Sequence, residues 1–444
     1  MKGIAISGKW IKMITWCLRI LTGATFLFSG FVKAIDPWGT IYKLDDYIAA
    51  MHFSMPFAIV LLAAFFLFSA EFFCGVSLCL GCFRRFTPWL AAAFMIVMLP
   101  LTLWIAIANP VADCGCFGDA WVISNWATFW KNVLLSLAIV WLIKFSYKSK
   151  WLITPSLQWL AFLASGIFII CVGLLGYEYQ PLLDFRPYPI GSNLTTDTNA
   201  LQDNMPQMQF IYEKNGEKKT FSESNLPDES EGWTFVERIE PKHSSAESDG
   251  LVIWDEQGDD VTADVIASAT DQIIIFMPEL NHVSSANIWL INSLESWCDN
   301  QGIDMLAVVG ATPEDVEAWR DVSMADYPIY TAEDTSIKEV VRGNPAVIYI
   351  KDGIIKWKSS LRALDTDDFL AKETPADPMS FAHDNNLILR NLSSLYILVI
   401  AILLIASFMP RLKGVYSRQR KYSRINAAKK EEKISGDDTV RREE

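Results

Sequence analysis

Two cysteines separated by a single glycine are the residues of this chain best suited to redox chemistry. Cys114, Gly115 and Cys116 lie in the sequence DCGCFGD, between Asp113 and Asp119. Consecutive Cα atoms are ~3.8 Å apart, so residues two positions apart lie within reach of a disulfide. Glycine permits the tight bend that so small a ring requires. A strained, exposed disulfide is oxidising and labile, so the pair could pass oxidising equivalents to other thiols, although the flanking carboxylates disfavour a thiolate.

Two other roles for Cys114 and Cys116 stay open. An inert disulfide could staple the loop without taking part in exchange. Alternatively, the two thiolates together with the imidazole of His52, and with Asp113 as a further ligand, would suit copper or zinc. This ligand set is thin, so the sequence assigns no metal site. Cys114 and Cys116 are treated as the candidate catalytic pair.

Arg19 and Glu71 form a second candidate pair, because both are charged residues inside apolar segments. At 1.5 Å per residue, each would lie roughly 12–14 Å from the same end of its helix. An unpaired charge at such a depth costs at least ~2.5 kcal/mol. We therefore predict an intramembrane ion pair between them. It would either fix the helix packing or take part in proton or quinone chemistry, and Arg19 alone could also extend to the membrane surface.

Three further cysteines, Cys74, Cys79 and Cys82, match a spacing that some iron–sulfur proteins use. They lie in a continuous apolar segment without a ligand loop. We expect them to be small buried side chains.

Six apolar segments that could cross a bilayer position these residues. A spanning helix needs roughly 20 predominantly apolar residues. The fourth segment contains Lys131, but tryptophans near its ends match the positions of interfacial anchors. The predicted spans are Met13–Val32, Pro56–Leu80, Pro88–Ala108, Asn125–Phe145, Leu157–Tyr177 and Asn391–Met409.

The distribution of basic residues predicts the orientation of these spans. Lysines and arginines cluster before the first span and after the second, fourth and sixth spans. All four places fall on one side if the spans alternate, which is the positive-inside pattern. We predict an inner (cytoplasmic) membrane protein with both termini in the cytoplasm and with residues 178–388 in the periplasm. The Cys114–Cys116 loop would then face outward, where disulfides persist.

Charge and composition narrow the range of partners. The chain carries a formal net charge of −13, and its acidic side chains are concentrated in residues 178–409. An acidic exported segment makes nucleic acid an unsuitable partner. The lipid bilayer is the partner that the apolar segments require.

The segment between the fifth and sixth spans has the pattern of a mixed α/β domain. Hairpins are predicted around Asn215-Gly216 and between Leu251 and Val261. Strands are predicted at Gln272–Met277, Met305–Val309, Tyr327–Tyr330, Ala346–Ile350 and Ile354–Lys358, and helices at about Ser284–Cys298, Pro313–Arg320 and Ile337–Val341.

This order resembles the thioredoxin fold in its extracytoplasmic TlpA-like form, over roughly Leu251–Ala371. In that family the proline that opens the closing hairpin is cis and lies against the active-site dithiol; Pro345 matches it by position. The family's Cys-x-x-Cys would fall within residues 278–282, which contain no cysteine. Without a thiolate no exchange occurs there, and Cys298 lies too far along the next helix to replace it. The resemblance implies a redox-inactive domain that binds or supports a partner.

The first four spans resemble the DoxX/MauE family of four-helix membrane proteins. The matching residues are the sequence SGFVKAIDP at Ser29–Pro37, Glu71, and Cys114–Asp119. Members of this family that add an outward thioredoxin-like domain and a further anchor are typical of Bacteroidetes-like sequences. The family-motif loops contain Lys33, Asp36, Pro37, Asp113 and Asp119, and Pro37 is expected to stop the first helix.

The family resemblance implies redox maturation outside the membrane. MauE is associated with methylamine utilisation, where it helps to mature a disulfide-rich enzyme, and DoxX relatives with thiosulfate or quinone-linked chemistry. The leading hypothesis is a membrane protein that supports periplasmic thiol–disulfide exchange or maturation of exported clients through Cys114 and Cys116. Its enzyme class would be a thiol–disulfide oxidoreductase or a quinone-linked redox protein, with a quinone as the candidate electron acceptor. The alternatives are a non-enzymatic assembly protein with a structural disulfide, and metal handling at Cys114, Cys116 and His52.

The predicted architecture is an all-α membrane bundle with two further transmembrane helices flanking an α/β thioredoxin-like domain. Its parts are a DoxX/MauE-like four-helix domain over residues 1–150, a fifth transmembrane helix over 151–180, a linker and small β-rich region over 181–250, a periplasmic thioredoxin-like domain over 251–385, a sixth transmembrane helix over 386–412 and a cytoplasmic basic tail over 413–444.

Overall fold

A computed structural model of the protein describes residues 8–111, 113–148, 150–194, 209–214, 217–222, 234–239, 250–267, 271–364 and 377–409. Within these ranges, six helices are long and apolar enough to cross a membrane. Each of the six predicted spans coincides with one of these helices. The predicted basic tail, residues 413–444, lies outside the described residues.

The membrane region consists of seven helices, counted within the described ranges. Six of them contain the candidate spans, and the shorter α2 lies between the first two. They are α1 (Gly8–Ile35), α2 (Pro37–Ala50), α3 (Phe57–Leu80), α4 (Thr87–Ala108), α5 (Asn125–Phe145), α6 (Gln158–Glu178) and the last helix, residues 385–409.

Glycines allow α1 and α3 to pack with their backbones in contact. A Cβ atom on Gly30 would lie 2.5 Å from the backbone nitrogen of Phe72, and one on Gly75 would lie 2.2 Å from that of Leu27. Small residues permit such close approach between membrane helices. The antiparallel register that results brings the end of α1 next to Glu71.

Helix α2 was not predicted from the sequence. Pro37 does stop α1 at Ile35, but it also occupies the first turn of α2, where its missing N–H leaves no hydrogen bond unmade. Asp36 caps this helix by accepting a hydrogen bond of 2.9 Å from the backbone nitrogen of Gly39. The buried side chain of Ile41 packs on Val60 of α3. The loop between the first two spans is therefore mostly helical.

The two ends of the bundle are distinguished by their contacts. At one end, here named the cysteine end, residues 36–56 and 113–124 meet the soluble part of the chain, as the ion pairs of Arg342 with Asp36 and Asp119 show. At the opposite end, the backbone nitrogen of Leu152 donates to the carbonyl of Leu80. Consecutive spans therefore alternate in direction.

The soluble region contains a five-stranded mixed sheet with the order β6-β5-β4-β7-β8. Strands β4, β5 and β6 are parallel, whereas β7 is antiparallel to both β4 and β8. The strands are β4 (Asp271–Met277), β5 (Asp304–Val309), β6 (Ile329–Thr331), β7 (Ala346–Lys351) and β8 (Ile354–Ser360); the helices are α7 (Thr262–Ala267), α8 (Ala286–Gln301), α9 (Pro313–Ser323) and α10 (Asp334–Val340).

Both faces of this sheet are covered. Alternate side chains of β4 enter two different apolar clusters: Ile273 and Ile275 pack on one face, and Ile274 and Phe276 on the other. A strand that is buried on both faces has an almost continuous apolar sequence. This explains why the central strand was recognisable from the sequence.

A separate three-stranded sheet has the order β2-β1-β3, formed by β1 (Gln209–Lys214), β2 (Glu217–Ser222) and β3 (Thr234–Ile239). The antiparallel pairing of β1 with β2 confirms the first predicted hairpin. Strand β3 was not predicted.

The second predicted hairpin, between Leu251 and Val261, is reduced to a single antiparallel bridge, with a backbone hydrogen bond from Val261 to the carbonyl of Ile253. Trp254 makes one isolated bridge to Asp260 and another to Thr331. The carboxylate of Asp255 accepts hydrogen bonds from the backbone nitrogens of Gln257 and Asp259. These bonds fold the segment into a tight turn, and the partner of Trp254 at Thr331 belongs to β6.

Candidate active site

Cys114 and Cys116 lie side by side at the cysteine end. Their Sγ atoms are 2.6 Å apart, and the two residues are only 6% and 9% exposed. Gly115 between them has a φ of +61°, in the left-handed region that glycine adopts without strain. The sequence thus positions two sulfur atoms in contact by means of a single glycine.

Helix α2 holds the cysteine loop from one side. The Asp113 carboxylate accepts hydrogen bonds from Lys43 Nζ at 2.5 Å and from the backbone nitrogen of Gly115 at 2.8 Å. Tyr47 donates its hydroxyl to the carbonyl of Cys114 at 2.5 Å. The charge of Asp113 is therefore matched by Lys43, which weakens the expected repulsion between this carboxylate and a thiolate.

A buried ion pair lies on the other side of the loop. Lys33 Nζ is 2.8 and 2.9 Å from the two carboxylate oxygens of Glu71, and both residues are less than a tenth exposed. Ser29 Oγ lies 2.8 Å from Glu71 Oε2 and 2.6 Å from the carbonyl oxygen of Cys116. The Ser29 hydroxyl thus connects the ion pair to the cysteine loop.

The predicted pairing of Arg19 with Glu71 is wrong. Arg19 Nη1 donates to the carbonyl of Lys150 at 3.0 Å, at the opposite end of the bundle. Helices α1 and α3 are antiparallel, and a Cβ atom on Gly23 would contact Cys79. Arg19 therefore lies beside the last residues of α3, at the end of the bundle opposite the cysteines. Lys33 was assigned to a loop, but α1 continues to Ile35 and carries it to Glu71. Ser29 and Lys33 lie one helical turn apart, and this spacing was the sequence signal that could have identified Lys33 as the partner of Glu71.

Lys131 of α5 lies near the same loop. Its Nζ is 4.1 Å from the centroid of the Phe117 ring. A small pocket of about 30 Å³ joins it to the ion pair, and Ser29, Glu71 and Cys116 line this pocket. That volume accommodates about two water molecules. It does not accommodate a quinone ring, so the residues present do not form a closed quinone site here.

The two thiols have unequal acidity. The hydrogen bond from Cys114 lowers the pKa of Cys116 to about 7; burial opposes this effect, while the charges of Lys131 and Lys33 add to it. The same hydrogen bond, together with burial, raises the pKa of Cys114. One thiolate, centred on Cys116, is therefore the accessible ionised form of the reduced pair.

The soluble domain docks on the cysteine end through Arg342. Its Nε lies 2.9 Å from Asp36 Oδ2, and its Nη2 lies 2.6 Å from Asp119 Oδ2. The next residue, Gly343, donates its backbone N–H to the hydroxyl of Tyr42. The Asn344–Pro345 peptide bond that follows is cis. The loop that opens β7 thus contacts both family-motif loops.

Residues 278–282 lie beside this docked loop. Asn344 Nδ2 donates to the carbonyl of Glu279 at 2.6 Å, and the Glu279 carboxylate pairs with Lys338 at 2.9 Å. Lys338 in turn lies 4.9 Å from the ring centroid of Tyr42 in α2. Cys298 is fully buried, and burial raises the pKa of its thiol, as expected for a core residue.

Among the described residues, no group of three or more His, Cys, Asp or Glu side chains is placed to hold a metal ion. His52 lies in the exposed turn after α2 and does not join Cys114 and Cys116 in such a group. Cys74 and Cys82 are buried within the bundle.

Comparison with known families agrees with the membrane part of this arrangement. Residues 11–145 match the family described as methylamine utilisation protein MauE. Residues 206–242, which contain β1, β2 and β3, match a domain of unknown function, DUF8463. No curated protein matches the chain. The MauE match spans α1 to α5 with the cysteine loop, so the chain has a MauE-like domain and is a multi-pass membrane protein.

Proposed function

We propose that this protein exchanges disulfides with exported proteins through Cys114 and Cys116, and thereby supports their maturation. The observation that carries the proposal is the contact of the two sulfur atoms at 2.6 Å in a pair whose thiols differ in acidity. A pair that only staples a loop has no need of a stabilised thiolate. Methylamine itself is not part of the proposal, because no residue of the site indicates it.

The cysteine end would face the extracytoplasmic side of an inner membrane. The positive-inside pattern of the loops supports this orientation. The alternation of the spans puts the soluble domain at the same end as the cysteines, so the domain would share their compartment. Disulfides persist in that compartment.

The chemistry follows from the difference between the two sulfurs. A client thiolate attacks Cys114 Sγ, the Cys114–Cys116 bond breaks, and its electron pair leaves on Cys116, since the more acidic thiol is the better leaving group. The second client thiol then attacks the client sulfur of the mixed disulfide, and Cys114 leaves. Two electrons pass from the client to the pair, and the two client protons end on Cys114 and Cys116. Exchange with the disulfide of a carrier protein returns the pair to its oxidised form.

The soluble domain would be thioredoxin-like and would hold a client or partner near the pair. Its sheet order and the cis bond before Pro345 support this assignment. Because residues 278–282 contain no cysteine, the domain would act by binding and not by exchange. Its docking through Arg342 puts it within reach of the cysteine loop.

A second candidate is a non-enzymatic assembly protein. The burial of both sulfur atoms favours it, because a client must reach residues that are less than a tenth exposed. In that case the disulfide would be permanent.

Trapping of mixed disulfides tests the proposed exchange. In a Cys116→Ser variant, Cys114 has no intramolecular partner. Its thiolate can attack a client disulfide, which forms a mixed disulfide and releases the second client cysteine as a thiolate. Such mixed disulfides, which reductant dissolves, are expected to accumulate. Cys298→Ser, which removes a buried thiol of the soluble domain, is the matched control and should trap nothing. If the Cys116→Ser variant forms no mixed disulfide with any exported protein, the exchange is refuted and the assembly role is favoured.

A further inference from the structure

Two lysine side chains, Lys33 and Lys131, line the pocket beside Cys116, and in the described part of the chain only Lys33 contacts a carboxylate. Lys33 is neutralised by Glu71, with contacts of 2.8 and 2.9 Å. Lys131 forms no ion pair within the described ranges, where its neighbour is the ring of Phe117 at 4.1 Å. The sequence alone marked Lys131 merely as an interruption of an apolar segment.

An unneutralised lysine in a membrane helix calls for an explanation. Lys131 lies six residues into α5, ~9 Å from the start of that helix. Charges inside such segments are costly, and those that are present commonly mark functional sites. A cation over an aromatic face gains only about 0.5–2 kcal/mol. Phe117 directly follows Cys116, and Lys131, Phe117 and Cys116 all line the same pocket.

We propose that Lys131 is the counter-cation of the Cys116 thiolate, a positioning role that rests on the proposed exchange function. In the first exchange step the Cys114–Cys116 bond breaks, and its electron pair goes to Cys116 Sγ. Lys131 takes no part in the proton transfer; its charge faces the new thiolate. The thiolate later takes the proton that the second client thiol releases.

The other charges around Cys116 do not supply this role. On α1, Lys33 is engaged by Glu71 of α3, and the two charges offset each other at the sulfur. On α2, Lys43 is engaged by Asp113. Cys114 contributes a hydrogen bond but no positive charge. Among the described residues on the pocket side, Lys131 is thus the cation whose charge is not offset by a carboxylate.

The pH dependence of alkylation in the reduced full-length protein tests this role. Iodoacetamide would label the thiols over a range of pH, and mass spectrometry would follow the peptide that contains Cys116. Lys131→Met should raise the midpoint of Cys116 labelling by about 1 pH unit, since a neighbouring opposite charge typically shifts a pKa by 1–3 units. Labelling near pH 7 should then be several-fold slower. Lys131→Arg keeps the charge and should restore the midpoint.

Two further variants separate this role from a structural one. Lys144→Gln changes a lysine in the last turn of the same helix and should leave the midpoint unchanged. Lys131→Gln repeats the test with a polar side chain if the methionine variant is poorly folded. A midpoint that stays at the wild-type value in the neutral Lys131 variants would overturn the proposal, whatever their stability. The midpoint does not depend on a client, so failure here is distinct from failure to trap mixed disulfides.

Discussion

Arg342 Nη2 lies 2.6 Å from a carboxylate oxygen of Asp119, although 223 positions separate the two residues in the chain. The Arg342 side chain is only 7% exposed, and its Nε also contacts Asp36. One guanidinium therefore joins the soluble domain to both family-motif loops of the membrane domain. The domain without a dithiol is held against the loop that has one.

Replacing Arg342 should loosen this contact. Arg342→Gln leaves Asp36 and Asp119 without their cation, and loss of one partner from a largely buried charge pair costs about 2–5 kcal/mol. Because Asp119 is 41% exposed, the lower part of this range is expected. Cys114 and Cys116 should then react about tenfold faster with a small alkylating reagent in native membranes.

Arg320→Gln is the control for this variant. It removes an arginine from a pair with Glu256 in which both side chains are well exposed, and such pairs contribute about 0–1 kcal/mol. Alkylation of the cysteines should not change. Equal rates in the two arginine variants would show that docking does not restrict access to the pair.

The buried pair of Lys33 and Glu71 should be essential for folding as a pair, not as single residues. Glu71→Gln leaves the Lys33 ammonium buried without a counter-charge, which costs about 3–5 kcal/mol. We expect a clear loss of folded protein in detergent, measured by thermal unfolding and gel filtration. The double variant Lys33→Met with Glu71→Leu removes both charges and should recover most of the yield. A double variant no better than the single one would contradict the pairing.

The left-handed conformation of Gly115 should be required for the cysteine loop. In Gly115→Ala the left-handed backbone costs about 1–2 kcal/mol, and the new Cβ would lie 3.0 Å from Lys43 Cγ. Thermal stability should fall and the reduction potential of the pair should change. Gly166→Ala in α6 is the matched control, because no atom lies within 4 Å of its added Cβ. It should be neutral or stabilising by about 0.5–1 kcal/mol; similar losses in both variants would argue against a special role for Gly115.

The hydrogen bond from Cys114 should set the pH dependence of the wild-type pair. It is the largest cause that lowers the pKa of Cys116 to about 7. Labelling of Cys116 should therefore reach its plateau above pH 7 and fall about tenfold for each pH unit below it, because the thiol replaces the thiolate. In Cys114→Ala the midpoint should move upward toward the ordinary thiol value, whereas Cys114→Ser keeps a donor and should move less. An unchanged midpoint in Cys114→Ala would contradict this origin.

Much of the architecture was predictable because apolar periodicity is a local property of the sequence. The six spans, the hairpin at Asn215 and the strands of the mixed sheet follow from residue type and spacing. Helix α2 was missed because Pro37 was interpreted only as a stop signal, whereas it also begins a helix.

The pairing of charges was not predictable in the same way. It depends on the register between α1 and α3, which the glycines at positions 30 and 75 set through direct backbone contact. Depth along a helix alone suggested Arg19 as the partner of Glu71, and the register selected Lys33. The contact of Arg342 with Asp119 depends on how two domains dock, for which the sequence carries no periodic signal.

Thiol trapping in intact cells tests the redox role of Cys114 and Cys116 most directly. Cells would be quenched with acid while respiration is blocked and again after it is restored, and free thiols would be tagged with a mass-shifting maleimide in a variant that keeps only these two cysteines. We predict that the pair shifts from reduced to oxidised as respiration resumes. A pair that stays fully oxidised under both conditions would contradict the account and identify the bond as a permanent staple.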